Sequence, residues 1–453
     1  MVDQVARALG EPIADDGIRW LHAFNGRALS AEDLRTDQAA IDRARRQLGR
    51  AVGAGVHSGF LVAEAVPREN ARPVLAVEPG LAFNLDGHAI ELGRRVTVGL
   101  VRVDAPTDET GATFARCDVV LAGTAGLGAY VLAVGPAELG TGRAPVAGLG
   151  NDPAACNTGY RVEGVRFQLV PLDIEPEDVD DPRLRNRLAA RMFAPADQRA
   201  DTPATDPFAA REDQLTGLDE LQERCLGTTD VPLALLFWRP GEGVDFIDLW
   251  AVRRRLVPAS PATREPTPMA AAAHAVAEAR YLQFEAELRD WLGETTAPAT
   301  FAAIDRFGIL PPVGVVPLAT LEGRGFDPVA FFRGLQVRGP AFVESALVPG
   351  LLKAALDHPA IDTASGRVIW TYLIHQNARQ VRVPPWRRAG MARPDLQDLL
   401  IRQPRPFPGV ASPIGIGEPQ PSCVVFATGD LRYLADGRFD LGHWDHASYA
   451  EIG

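Results

Sequence analysis

Near the C-terminus, His443, Asp445 and His446 form the densest group of side chains able to hold a metal or move a proton. Imidazoles three residues apart can share a metal on a helix, but a third ligand must come from elsewhere. Gly442, Trp444 and Tyr449 surround the group, and an aromatic-lined surface turn is the simpler reading. His57 and Ser58, with Asp33 upstream, supply the residue types of a nucleophilic triad. A serine adjacent to its base in sequence seldom faces that base in space. Gly53, Gly55 and Gly59 have the look of a phosphate-cradling loop, yet such a loop follows a strand and opens a helix. Here the glycines close a helix, so helix termination is the expectation. The carboxylate pairs Asp15-Asp16 and Asp180-Asp181 lie in polar stretches and read as solvated charge. The chain contains no G-x-S-x-G, H-E-x-x-H or G-x-x-x-x-G-K motif. No catalytic, cofactor-binding or metal-binding residue is assigned, and the expectation is a chain that is not an enzyme.

The elements that would position these residues follow from periodicity. Ser30 can cap a helix starting at Ala31, with Asp33 returning a bond in a variant capping box, and the helix extends to about Val52. Leu34, Ile41 and Leu48 recur every seven residues as a narrow apolar stripe. Asp37, Ala44 and Ala51 weaken it, so packing against the protein's own sheet is favoured over a self-associating seam, which stays open. Leu81, Phe83 and Leu85 then alternate before Asp86-Gly87, with His88, Ile90 and Leu92 after it, the signature of a hairpin. Further strand-like runs are Val96 to Val103, Asp118 to Ala122, Tyr130 to Val134 and Val162 to Leu169. In the last, Val165, Phe167 and Leu169 oppose Arg166 and Gln168, as in a half-exposed antiparallel sheet.

Leu184, Leu188 and Met192 mark a short helix, and the Pro-, Ala- and Asp-rich stretch Ala194 to Asp213 reads as a linker or long surface loop. Val231 to Trp238 and Val244 to Leu256 suggest two strands ending at Arg253-Arg254-Arg255, a run expected to lie in solvent rather than bind phosphate. After the proline-rich break Pro258 to Pro268, an alanine-rich helix is expected from about Met269 to Leu292. Leu310-Pro311-Pro312-Val313-Gly314 must be extended, Phe342 to Leu356 reads as an interrupted helix, and Val368 to Ile374 as a strand. Pro384 to Pro421 is mostly irregular, and no internal repeat is present. Trp238, Trp250, Trp370, Trp386 and Trp444 fall on or beside extended segments; core packing is favoured, although such rings also serve carbohydrate and protein contacts.

Composition narrows the class. Hydrophobic residues make up 46% and charged residues 23% of 453, ordinary globular usage that argues against wholesale disorder. The formal charge of −12 supplies no field to attract nucleic acid or anionic lipid. Lys353 is the chain's only lysine, which coding bias explains more simply than guanidinium chemistry. Cys117, Cys156, Cys225 and Cys423 show no metal-ligand spacing and read as buried thiols. With no basic leader and no apolar run of membrane-spanning length, a soluble protein is expected.

Phe24-Asn25-Gly26-Arg27-Ala28-Leu29-Ser30-Ala31-Glu32-Asp33-Leu34, with Gln38 in the helix, resembles the opening of many tail and baseplate-associated proteins of phages and contractile injection systems. His57 to Val62 and Val77 to Gly87 are similar to their next segment. Arg143 to Val146, Ala155 to Thr158, Trp250 to Arg254 and Leu310 to Gly314 resemble recurring segments of uncharacterised proteins associated with such gene clusters. Phe60-Leu61-Val62 departs from the pattern, replacing a valine- and glycine-rich run. The resemblance implies a helix followed by a β-rich module entered through a histidine and glycine turn. It brings no catalytic motif.

The expected architecture is mainly β (α+β), with several antiparallel β modules, an N-terminal helix and a mid-chain helix. The expected divisions are 1–60, a helical attachment or oligomerisation segment; 61–200, a β-rich domain; 201–265, a hairpin-containing domain or extension; and 266–453, a C-terminal α+β domain. The expected role is structural, in the baseplate, tail tip or fibre attachment of a phage-tail-like particle assembled in the cytoplasm. Partners would be further copies of the chain, most simply in a trimer, and other tail or baseplate subunits, without nucleic acid, membrane insertion or cofactor. Two rivals stay open: a receptor- or glycan-binding module of a tail fibre using its aromatic residues, and a hydrolase using His443, Asp445 and His446.

Overall fold

The computed structural model describes residues 17–65, 74–100, 126–144, 157–174, 178–194, 216–239, 242–254, 268–294, 301–318, 325–344, 351–352, 358–375, 421–429, 432–433 and 439–440. Strands dominate, with several antiparallel sheets, an N-terminal helix and a mid-chain helix.

Helix α1 spans Ala31–Val52, and its start is set by a reciprocal cap. The Ser30 hydroxyl accepts from the Asp33 N–H at 3.1 Å, and Asp33 accepts from the Ser30 N–H at 2.9 Å. Its apolar stripe does not pack on a sheet of the same chain: Leu34, Ile41 and Leu48 are all exposed. The helix docks instead through its smallest residues, Ala40 and Gly49. Gly49 lies against Gly87 in the hairpin turn, where a Cβ on either glycine would overlap backbone of the other element. Close backbone approach has thus replaced side-chain interdigitation.

Six short strands follow: β1 (Gly55–Gly59), β2 (Val62–Glu64), β3 (Val74–Val77), β4 (Gly80–Phe83), β5 (Ala89–Leu92) and β6 (Val96–Gly99). They form two antiparallel three-stranded sheets, ordered β1-β4-β5 and β2-β3-β6. The expected hairpin at Asp86-Gly87 is present, with Phe83 opposite Ala89. Beyond it, β6 is shorter than the Val96 to Val103 run suggests, and Asp118 to Ala122 lies outside the described residues.

Strands β7 (Gly128–Ala144), β8 (Asn157–Leu172), β9 (Val231–Arg239) and β10 (Gly243–Asp248) form a central sheet in the order β10-β9-β7-β8. Period two sorts β7 between two cores. Tyr130, Leu132 and Val134 face the small β module with Phe60, Leu75 and Ile90, while Ala129, Val131 and Ala133 face helices. Strand β9 is covered on both faces, which explains its almost continuous apolar run. The helical side holds α2 (Leu184–Phe193), α3 (Gly217–Leu221, continuing as a π turn Gln222–Leu226) and α4 (Pro268–Glu294). Beyond Val134, β7 pairs with β8 alone, so the hairpin continues as a two-stranded arm.

Helix α4 bridges two cores. Ala279 packs with the central sheet, whereas Phe284, Leu288 and Trp291 enter an aromatic cluster with Phe307, Phe326, Phe331 and Phe426. Each such ring buried stabilises by roughly 2–3 kcal/mol. After the short β11 (Ile309–Leu310) come β12 (Val313–Pro317), α5 (Pro328–Phe331), β13 (Gln336–Glu344), β14 (Ile361–Asp362), β15 (Val368–His375) and β16 (Pro421–Thr428). The cluster covers a four-stranded sheet ordered β12-β16-β15-β13. Strands β13 and β15 are parallel and the other pairs antiparallel. Gly314 of β12 has no room for a Cβ, because the edges of Phe426 and Phe284 occupy that space.

Three further expectations change. Phe342 to Glu344 belongs to strand β13, not to a helix, since three register pairs to β15 hold it extended, whereas Leu351 and Leu352 of the same expected segment are helical. Strand β10 ends at Asp248 rather than continuing to Leu256, because the Asp248 carboxylate accepts from the Ala251 N–H at 2.9 Å and turns the chain. Arg253 and Arg254 do not end a strand in solvent; both are drawn into the interior. The proline-rich stretches 195–213, 258–267 and 384–420 lie outside the described residues.

Candidate functional site

A recess of about 550 Å³ lies between β2, β10, α2 and α4. Its floor is a buried polar cluster built from three elements. Arg185 of α2 donates to Asp248 of β10 at 2.8 Å and to Asp290 of α4 at 2.7 Å. Gln283 of α4 donates to Asp248 at 3.0 Å and, one turn on, to Glu287 at 2.7 Å. Neighbouring Asn186 accepts from the N–H groups of Gly308 and Ile309, both at 3.0 Å, and donates to the Ile309 carbonyl. Helix α2 thereby ties the central sheet to the chain entering the second sheet.

Electrostatics follow from burial and pairing. Burial works against the Arg185 charge, but Asp248, Glu287 and Asp290 together outweigh it and raise its pKa. Burial pushes the Glu287 carboxyl up to about 7, against the opposing pull of Arg185 and Gln283. A carboxyl titrating near neutrality is the kind of group acid–base chemistry uses. The lining includes no serine, threonine, cysteine or histidine among the described residues. At the rim Arg239 is engaged by Asp245 at 2.6 Å and Asp180 at 3.0 Å, while Arg306 lies over the Trp291 ring at 5.2 Å. The guanidinium groups of Arg185 and Arg239 are thus neutralised within the chain.

A second buried set surrounds Arg253. Its guanidinium donates to the carbonyls of Leu233 at 2.8 Å, Gly59 at 3.0 Å and Phe60. Burial pulls its pKa down to about 9, leaving it charged at neutral pH. The contact fixes the turn at Phe60, a non-glycine residue with φ of 51°. Arg254 and Arg280 both lie over the Phe193 ring, at 4.9 and 5.4 Å, and burial lowers each to about 10.

Among the described residues, those singled out from sequence are not brought together. His57 and Ser58 are exposed on β1, which follows the C-terminus of α1, whereas Asp33 sits in the first turn of α1, about 28 Å from that C-terminus at 1.5 Å rise per residue. There Asp33 is held by Ser30 and by Arg27 at 2.6 Å, contacts that lower its pKa. Gly53 closes α1, and Gly55 and Gly59 bound β1. Asp180 lies on the recess rim and Asp181 is bonded to Arg183. Trp238 is buried in the core under the small β module, while Trp250 and Trp370 are half-buried. Cys423 is buried and Cys225 half-buried. Asp15, Asp16, Cys117, Cys156, Trp386, His443, Trp444, Asp445 and His446 lie outside the described residues. Among the described residues no group of three or more His, Cys, Asp and Glu is placed to hold a metal. Comparison with protein-family profiles and with curated protein sequences gives no match. No helix among the described residues is long and apolar enough to cross a membrane.

Exposed apolar surface is the other conspicuous property. Among the described residues, ten of the fifteen exposed large hydrophobic side chains fall in two places: Leu34, Ile41, Leu48 and Val52 on α1 with Trp20, Phe24 and Leu29 in the segment before it, and Leu139, Tyr160 and Val162 on the arm. On the arm, Leu139 opposes Val162 and Thr141 opposes Tyr160 on one face. The other face carries Glu138 and Glu163 as a pair, and an ion pair joins Arg161 to Glu138 at 3.1 Å.

Proposed function

We propose that this chain is a non-enzymatic structural subunit of a phage-tail-like particle, placed in the baseplate, tail tip or fibre-attachment region. The observation that carries the reading is the concentration of exposed apolar side chains on α1 with the segment before it, and on the β7–β8 arm. Apolar surface gathered in two places is the mark of contact with other subunits. A two-stranded ribbon is also marginally stable in water without a partner. The recess at Arg185 and Glu287 supports the same reading, because its arginines are paired internally and act as a joint between sheets. The resemblance of Phe24 to Leu34 to tail and baseplate proteins supplies the kind of assembly.

Immunogold labelling of particles purified from producing cells tests the reading. Label at one end of a tail is expected. Label absent from every particle, or spread along the tube, would overturn it. Replacing Leu139 and Tyr160 together by Ser is expected to deplete the chain from particles while shifting its own stability by less than about 0.5 kcal/mol, as exposed positions allow.

A further inference from the structure

We infer that the uncovered face of α1 is the contact with a second copy of this chain, the two helices lying antiparallel about a two-fold axis. The inference goes beyond the particle assignment and stands if that assignment fails. Leu34, Gln38, Ile41, Arg45, Leu48 and Val52 alternate in steps of four and three, so they lie along one seam. Among the described residues, the buried positions of α1 are Ala40 and Gly49, neither of them in the seam, and all six seam residues stay exposed.

Charge distribution selects the occupant and its direction. The first half of α1 carries Glu32, Asp33 and Asp37 against Arg35, while the second half carries Arg43, Arg45, Arg46 and Arg50 against Asp42. An antiparallel pair centred on Ile41 sets Leu34 of one copy against Leu48 of the other and Asp37 against Arg45, twice by symmetry. It also opposes the two helix dipoles. A parallel pair or trimer in register would stack acidic half on acidic half and Arg45 on Arg45. The three-fold arrangement expected from sequence is therefore disfavoured at this seam. A polar residue among apolar positions, here Arg45, commonly fixes register at some expense of stability.

Light scattering of the full chain at micromolar concentration tests this. A dimer is expected. Ile41→Arg should weaken it at least tenfold while leaving the fold of each copy unchanged by circular dichroism, since Ile41 is exposed. Arg45→Glu should weaken it about tenfold, and adding Asp37→Arg to the same chain should restore it, which only the antiparallel pairing predicts. A monomer, a trimer, a dimer indifferent to Ile41→Arg, or an Arg45→Glu loss that Asp37→Arg does not recover would each overturn the inference.

Discussion

Gly49 of α1 and Gly87 of the β4–β5 turn meet backbone to backbone, with no room for a Cβ on Gly49 beside the Gly87 carbonyl. Alanine in a helix is ordinarily better than glycine by about 1 kcal/mol. At Gly49 the sign should reverse, because the added methyl overlaps rigid backbone. Gly49→Ala is expected to lose roughly 1–3 kcal/mol, the range for overpacking, or to release α1 from the turn. Hydrogen exchange of α1 amides separates these outcomes, and unchanged stability with unchanged exchange would refute the contact.

A second expectation concerns Arg253, whose guanidinium holds the carbonyls of Gly59, Phe60 and Leu233. Arg253→Met fills the space but leaves the buried carbonyls of Leu233 and Phe60, and the part-buried carbonyl of Gly59, without their donor. Unmade buried bonds cost about 1–3 kcal/mol each, so a loss on the order of 3 kcal/mol is expected. Arg253→Lys should recover only part, because one ammonium cannot reproduce the planar fork. Urea midpoints at constant m-value measure both.

Local rules made much of this fold legible. The Ser30–Asp33 cap, the Asp86-Gly87 hairpin and the period-two face of Val165, Phe167 and Leu169 each depend on neighbours in sequence. What escaped depends on distant partners. Arg253 reads as a solvated charge until Gly59 and Phe60, nearly two hundred residues earlier, come beside it. The Leu34, Ile41 and Leu48 stripe suggested packing inward, yet the deciding contact was Gly49 against Gly87, which carries no hydrophobic signal. Phe342 to Glu344 looked helical because β15 alone holds it extended. In the recess, the one available sign was Gln283 and Glu287 one turn apart on α4, among the charged residues that its sequence also places in that half.

The Arg185–Asp248 pair makes a third case. Arg185→Met leaves Asp248 buried and short of its charge partner, and breaking a buried pair from one side costs about 3–5 kcal/mol. Combining it with Asp248→Asn removes the orphaned charge while the amide oxygen still accepts from the Ala251 N–H. The double variant should therefore be more stable than Arg185→Met alone, by denaturant titration. A double variant less stable than the single would show that the charge is not the source of the loss.

Glu287 gives stability a pH dependence whose sign can be worked out. Its carboxyl is raised from 4.5 to about 7 in the folded state, burial being the largest cause, so the folded chain holds this proton more tightly than the unfolded one. Its contribution is full below about pH 4.5 and is lost as pH rises through about 7. The groups setting it come from several elements: Arg185 on α2, Asp248 on β10, Gln283 on α4, and Arg306. A shift of this size corresponds to a loss on the order of 3 kcal/mol across that window. Glu287→Gln cannot ionise, so its stability should fall less than that of the natural chain over the same range. Urea midpoints at a series of pH values measure the difference. Parallel profiles for the two proteins would mean that Glu287 does not titrate in this window and that the buried cluster around Arg185 holds it in one charge state throughout.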